Sequence, residues 1–191
     1  PRTIAVYSAR AARLCGLEPF DAMHSYEWVP AIELTTRVKR LVLADFVYFP
    51  YKPLHGKRYA IANSSGCAAH PDREQAIANA LLELVEREAF MVTWLQRLLR
   101  PRIMVGTLPG QMQKRIRALQ EVGFRTSIID LTFDFTPVIG VVATNSILPM
   151  LTCSAASAFD VAYALEKALR EVEASVYCRL RDGPADTNVD L

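Results

Sequence analysis

The residues with the clearest chemical potential form one polar stripe at helical spacing. Gln75, Asn79, Glu83 and Glu86 follow one another at intervals of four, four and three, which places them on one helix face, with Arg87 at its edge. Two carboxylates one turn apart can share Mg²⁺, which takes one or two protein carboxylates together with phosphate oxygens and water. The arginine can neutralise phosphate charge. The stripe indicates a site for a metal-bound phosphate compound, with the solvated face of an amphipathic helix as the alternative.

A small polar loop precedes this stripe. Ser64, Ser65 and Gly66 offer hydroxyls and a flexible backbone close to a predicted helix N-terminus. Such a position suits an anion. An ordinary strand-to-helix turn is the alternative.

A second charged group lies near the end of the chain. Glu166, Arg170 and Glu173 share one side of a predicted helix, with Lys167 and Glu171 beside them. We expect surface ion pairs of little energetic value here, unless this helix faces the first one.

The element that positions the polar stripe is a long helix. Asp72 is a suitable N-cap, Glu74 places negative charge in the first turn, and neither Gly nor Pro follows until Pro101. The remaining faces are mainly Ala, Ile, Leu and Val, and we expect them to be buried. A carboxylate stripe on such a helix must then face a partner, a metal or a cavity.

The rest of the chain alternates between strand and helix signals. The composition of the first part predicts strands, and the second part predicts two more helices around three strands. This order favours a mixed α/β architecture but does not give the strand order. The predicted strands are residues 37–46, 47–51, 57–62, 126–131, 137–143 and 150–154, and the further helices are 109–122, ended by Gly123, and 158–181.

Composition narrows the class of protein. The 191 residues are 51% apolar and 22% charged with a net charge of +2, which is typical of one globular domain without an obvious nucleic-acid partner. The longest apolar stretch is too short to span a bilayer. The four cysteines are widely spaced, which is typical of buried, reduced thiols in a cytoplasmic protein. The sequence contains no P-loop, dinucleotide-binding or nucleophile-elbow motif.

The segment 64–90 resembles the YcaO family. Its run S-S-G-C-A-A-H-P-D-R-E-Q-A-I-A-N-A-L-L-E-L-V-E-R-E-A-F is similar to that family's small-polar-Gly-x-Ala-Ala loop and its helix ending Glu-x-x-Glu-Arg-x-Ala. The wording around the loop is closest to YcaO proteins of azole-containing bacteriocin pathways. Residues 27–51 and the downstream L-Q-E-V-G-F-R-T-S-I-I-D-L-T and A-L-E-K-A-L-R-E-V-E also fit the family's order. The resemblance implies a YcaO-like α/β core of mixed sheets packed by long helices.

The resemblance also implies an ATP site without a P-loop. Glu83 and Glu86 would be Mg²⁺ ligands and Arg87 a phosphate or structural partner, by their match to the helix motif. The other residues implied to bind the nucleotide are Ser65, Gly66, Gln75 and Asn79. Relatives often have an acid at the position of Gln75, and asparagine at those of Ser65 and Pro71.

The implied reaction is the ATP-dependent cyclodehydration of Cys, Ser or Thr in a ribosomally made precursor peptide to thiazoline or oxazoline. The implied partners are that peptide and a leader-binding or ubiquitin-activating-enzyme-like protein, and a homodimer is left open. A thioamide-forming relative and a non-catalytic scaffold that binds the peptide or a partner enzyme are the alternatives.

The family's second acidic motif, Ser-x-x-x-Glu-x-x-Glu-Arg, and the proline-rich C-terminus of many cyclodehydratases do not occur in these 191 residues. Together with the start at Pro1, this leads us to expect a single YcaO-like domain over residues 1–191 that is incomplete at both ends.

Overall fold

The computed structural model describes residues 7–54, 56–134, 136–146 and 150–182. The chain divides into two compact units, one ending at Cys67 and the other beginning at Ala68. Both contain helices with antiparallel sheets, so the mixed α/β class predicted from the sequence is confirmed.

The first unit is built on a short helix and one pair of strands. Helix α1 spans Ala9–Leu14, and strands β1 (Trp28–Ile32) and β2 (Lys39–Leu43) pair antiparallel with Trp28 opposite Leu43. The predicted strand 37–46 is shorter than expected because Arg37 has a φ of 60° and residues Ala44–Phe46 form a 3₁₀ turn.

The predicted strands 47–51 and 57–62 are wrong. The backbone N–H groups of Tyr59 and Ala60 donate to the buried carboxylate of Asp45, at 3.1 and 3.2 Å. A side chain therefore satisfies the backbone groups that a neighbouring strand would otherwise pair, which a reading of local residue preferences does not reveal.

The second unit opens with helix α2, Arg73–Leu95. The Asp72 carboxylate accepts from the N–H groups of Glu74 and Gln75 at 2.7 and 3.0 Å, which confirms the predicted cap. Helix α3 spans Gly110–Glu121, and the chain leaves it through Gly123 at a φ of 88°. Helix α4 spans Val161–Asp182.

A four-stranded antiparallel sheet lies between these helices. Its order is β3 (Arg102–Ile103), β4 (Phe124–Asp130), β5 (Val138–Asn145) and β6 (Met150–Ser157). The three longer strands confirm the three that the sequence predicts in this region, each displaced or extended at its ends. Strand β6 is the last strand of the sheet as described.

The two faces of the sheet carry different helices. One face forms the main core with α3 and α4, through residues such as Ile128, Val141 and Leu169. The other face meets α2 through a smaller cluster formed by Ala89, Leu131, Val138 and Ala155. Because successive side chains of a strand point to opposite faces, β5 can serve both clusters.

The expectation that the apolar faces of α2 are buried is wrong. The side chains of Leu81, Leu84, Trp94 and Leu95 are between 48% and 67% exposed, whereas Glu86 is 9% exposed. In this structure the helix turns part of its acidic stripe toward the sheet, because Glu86 finds hydrogen-bond partners there.

The expected burial of the cysteines is also wrong, since Cys15, Cys67, Cys153 and Cys178 are all exposed free thiols. Among the described residues, no helix combines the length and apolar character required to cross a membrane.

Candidate functional site

The centre of the candidate site is the buried carboxylate of Glu86. Its Oε2 atom accepts from the backbone N–H of Ser157, at the end of β6, at 3.3 Å. The same atom lies 3.4 Å from the Nζ atom of Lys167 on α4. Helices α2 and α4 pack on opposite faces of the sheet. The Glu86 carboxylate of α2 nevertheless meets Lys167 of α4 beside β6.

Burial is the largest influence on the ionisation of Glu86 and raises the pKa of its carboxyl group. The ammonium group of Lys167 acts in the opposite direction. The carboxylates of Glu83 and Glu171 raise the pKa further, because a third negative charge close to them is unfavourable. A cation placed among these carboxylates would relieve that repulsion.

Glu83 and Arg87 extend the site along α2. Glu83 is partly buried, and its Oε1 atom lies 3.5 Å from the Nε atom of the more exposed Arg87. Glu83 precedes Glu86 by less than one helical turn and Arg87 follows it directly, as the polar stripe predicts. The arginine is therefore held beside the carboxylates, with part of its guanidinium still accessible.

Helix α4 contributes a third carboxylate. Glu171 lies one turn beyond Lys167 and accepts a hydrogen bond from the hydroxyl of Ser154 on β6. The expectation of surface ion pairs on this helix holds only in part, because Lys167 reaches Glu86 of α2. The other members of its charged group pair elsewhere: Arg170 contacts Glu166, and Glu173 binds Arg115 of α3.

A cavity of about 190 Å³, here called the acidic cavity, opens beside Glu86, Arg87 and Glu171, and Glu83 is not among its lining residues. Two carboxylates and one guanidinium face it, together with small side chains of β6. Its lining consists of Glu86, Arg87, Phe90, Cys153, Ser154, Ala155 and Glu171.

Ser157 carries an unsatisfied polar group beside Glu86. The residue is 3% exposed, and among the described residues its hydroxyl has no hydrogen-bond partner. A buried hydroxyl without a partner costs free energy, on the order of 1–3 kcal/mol, unless a ligand or water satisfies it. This residue is missed by sequence reasoning, because a serine at the end of a strand carries no distinctive signal.

The remaining predicted site residues are Gln75, Asn79, Ser65 and Gly66. Gln75 and Asn79 are exposed on the first turns of α2, on the face that the spacing predicts. Ser65 and Gly66 belong to the first unit, where the Ser65 N–H donates to Asn63 at 2.9 Å and Gly66 has a φ of 76°. Their roles remain predictions.

The donor set fits Mg²⁺ that is bound together with a phosphate compound. Within the described ranges no group of three or more His, Cys, Asp or Glu side chains is arranged to hold a metal ion alone. Glu83 and Glu86 nevertheless provide the one or two carboxylates that Mg²⁺ takes when phosphate oxygens and water complete its shell.

Comparison with known proteins identifies relatives of this chain. The chain is 28% identical over 175 residues to an uncharacterised protein of Methanothermobacter thermautotrophicus, covering 87% of this chain and 45% of the relative. Its fold is similar to a heterocyclase solved in complex with substrate and cofactor, with a TM-score of 0.75 and 26% identity over 91% of this chain and 24% of the other.

A further solved structure shares the fold. It is YcaO from Methanopyrus kandleri bound with AMPPCP and Mg²⁺, with a TM-score of 0.72 and 23% identity over 87% of this chain and 46% of that protein. The chain thus spans less than half the length of each of these three proteins.

The family model of the YcaO cyclodehydratases, described as ATP- and Mg²⁺-binding, matches residues 1–189. That match covers nearly the whole chain and includes the helix that carries Glu83, Glu86 and Arg87. The chain belongs to the YcaO family.

Proposed function

We propose that this chain contributes the Mg²⁺- and ATP-binding acidic site of a peptide cyclodehydratase. The enzyme would convert Cys, Ser or Thr of a ribosomally made precursor peptide to thiazoline or oxazoline. The family match supports the ATP and Mg²⁺ chemistry, and the heterocyclase of similar fold supports the ring-forming reaction.

The observation that carries the proposal is the placement of the Glu86 carboxylate. Burying a carboxylate costs several kcal/mol unless charges and hydrogen bonds compensate it, so most surface helices leave such a residue in water. Here the helix buries Glu86 and exposes leucines instead. Groups placed at such a cost, in a cavity and with a shifted pKa, are typical of functional sites.

We assign Glu83 and Glu86 as the residues that would hold Mg²⁺, which when bound neutralises phosphate charge. Arg87 would bind phosphate oxygens, and Lys167 would position Glu86. Gln75 and Asn79, and the loop residues Ser65 and Gly66, are proposed nucleotide contacts on the strength of the family motif.

The proposed reaction proceeds through nucleophilic attack, phosphorylation and elimination of phosphate. The thiol or hydroxyl of the substrate attacks the preceding backbone carbonyl, and its proton is lost to solvent or a base. The resulting oxyanion attacks the γ-phosphorus of ATP, and ADP is released. The amide nitrogen then loses its proton as phosphate departs, which forms the C=N bond of the azoline. The residues of this chain act by positioning the phosphates and neutralising their charge.

The partners proposed are the precursor peptide and a leader-binding or ubiquitin-activating-enzyme-like protein. The heterocyclase of similar fold was solved in complex with substrate and cofactor, which supports substrate binding by the enzyme proposed here.

The test uses the complete gene product with a candidate precursor peptide, ATP and Mg²⁺. Loss of one water from the peptide is followed by mass spectrometry, and phosphate release is measured in parallel. Glu86→Gln is expected to abolish both, because the substitution removes the charge that holds the cation. Glu88→Gln is the matched control, since Glu88 is exposed on another face of the same helix.

Three results would contradict the proposal. Full turnover by Glu86→Gln would remove the acidic site from the mechanism. Peptide binding by the wild type without ATP turnover would favour the non-catalytic scaffold, and ATP-dependent exchange of a backbone oxygen for sulfur would favour a thioamide-forming enzyme.

A further inference from the structure

A larger cavity adjoins the acidic one. It has a volume of about 490 Å³ and lies between the C-terminal half of α2 and the sheet face that α2 covers only in part. Its walls are mainly apolar, with Phe90 and Trp94 from the helix and Val142 and Leu151 from β5 and β6. This size falls within the range of about 300–1,000 Å³ that is typical of small-ligand sites. It is called the apolar cavity below.

The two cavities share a wall. Phe90, Cys153 and Ser154 line both of them. A molecule whose reacting atoms lie in the acidic cavity therefore has the apolar cavity as its immediate neighbour. This continuity links the apolar cavity to the proposed chemistry.

The polar groups of the apolar cavity are few. The Thr93 hydroxyl is buried and has no hydrogen-bond partner among the described residues. Arg97 is the charged residue in the lining, and no carboxylate occurs among the described residues that line it. The cavity therefore disfavours a cationic side chain and suits an uncharged one.

The aromatic wall favours a flat or bulky apolar group. The rings of Phe90 and Trp94 are stacked, with centroids 6.2 Å apart and an angle of 9° between their planes. The apolar area that a side chain buries against these rings contributes roughly 25 cal/mol per Å².

We propose that the apolar cavity binds a bulky apolar side chain of the precursor peptide, one or two residues from the Cys, Ser or Thr that is cyclised. The inference rests on the proposed function, because that function brings the peptide to the acidic cavity. An extended peptide advances about 3.3 Å per residue, so a neighbouring side chain can reach the adjoining cavity. The cavity thereby acts as a specificity determinant for the residue that flanks the reacting one.

The test compares synthetic peptides in direct binding to the complete gene product by isothermal titration calorimetry. The probes are acetyl-Gly-Phe-Cys-Gly-amide, its analogue with Gly in place of Phe, and its analogue with Lys in place of Phe. The wild type is expected to bind the Phe peptide about 10-fold or more tightly than the Gly peptide, and the Lys peptide no better than the Gly peptide.

Two variants connect that preference to the cavity. Val142→Trp fills the cavity and is expected to remove the preference for Phe while Mg²⁺-dependent ATP binding is retained. Leu151→Glu adds a carboxylate at a half-exposed position, so the fold tolerates it, and is expected to favour the Lys peptide over the Phe peptide.

Equal affinity of the wild type for the Phe and Gly peptides would overturn the inference. The same conclusion would follow if the preference for Phe persisted in both variants. Failure of the proposed function has a separate signature, which is the absence of ATP-dependent water loss from the precursor while the peptide preference is still measured by binding.

Discussion

For the pair formed by Glu86 and Lys167, we expect the loss of stability to depend on which of the two charges is removed. Replacing Lys167 by Met removes the cation that lies 3.4 Å from the Glu86 carboxylate and leaves that carboxylate buried. Removing one partner of a fully buried ion pair costs about 3–5 kcal/mol. The Lys167 side chain is 36% exposed, so solvent screens the pair and reduces the expected loss of stability to roughly 1–3 kcal/mol.

Substitution of the other partner, Glu86, is expected to change the free energy of unfolding less. Glu86→Gln keeps the shape of the side chain and an oxygen that can accept from the Ser157 N–H, but it removes the buried charge. We therefore expect a change of less than about 1 kcal/mol, and the double variant should be more stable than Lys167→Met alone.

The pH dependence follows from the raised pKa of Glu86. The folded protein binds this proton more tightly than the unfolded chain, so the associated stability is present at low pH and is lost as the pH rises through the folded-state pKa. Lys167→Met removes the influence that lowers this pKa. Its deficit relative to the wild type should accordingly be larger at about pH 8 than at about pH 5.

The assay is urea denaturation of the complete gene product, followed by circular dichroism at both pH values. Arg170→Met is a suitable control, because the Arg170 side chain is exposed and pairs with Glu166 on the surface of the same helix. The reasoning is refuted if Lys167→Met is as stable as the wild type at the higher pH, or if Glu86→Gln is the more damaging of the two substitutions.

Three further substitutions test the packing that positions the site, each by urea denaturation. Asp72→Ala should cost about 0.5–2 kcal/mol through loss of the α2 cap, and Asp72→Ser should restore most of it. Gly140→Ala should cost about 1–3 kcal/mol, because the added methyl group would lie 2.9 Å from the Leu131 side chain. Arg115→Met should cost about 1 kcal/mol by breaking the two hydrogen bonds to Glu173 that join α3 and α4. An unchanged free energy of unfolding in any one of these variants would contradict the importance of the contact that it alters.

Local signals were sufficient for the longer helices and strands of the second unit, whereas the two-residue strand β3 was not predicted. The Asp72 cap, the absence of Gly and Pro and the apolar periodicity predict α2, and Gly123 marks the end of α3. These features act within a few residues of chain, so a sequence displays them directly. In the first unit the backbone near Tyr59 is instead satisfied by Asp45, fourteen residues away, and local preference gave strands that do not form.

The candidate site was predicted in part for the same reason. Glu83, Glu86 and Arg87 share one helix, so their proximity follows from the spacing. Ser157 and Lys167 lie 71 and 81 residues from Glu86 and meet it only because α2 and α4 pack beside the same strand. The orientation of α2 could not be predicted from the sequence. An apolar face predicts burial, but this helix buries the carboxylate of Glu86 instead.

The most direct test of the account is a calorimetric titration of ATP into the complete gene product, with and without Mg²⁺, for the wild type, Glu86→Gln and Glu88→Gln. We expect Mg²⁺-dependent binding that is weakened at least about 10-fold by Glu86→Gln and unchanged by Glu88→Gln. Equal affinity in all three proteins, or binding that ignores Mg²⁺, would contradict the claim that the buried carboxylate of Glu86 forms part of a metal–nucleotide site.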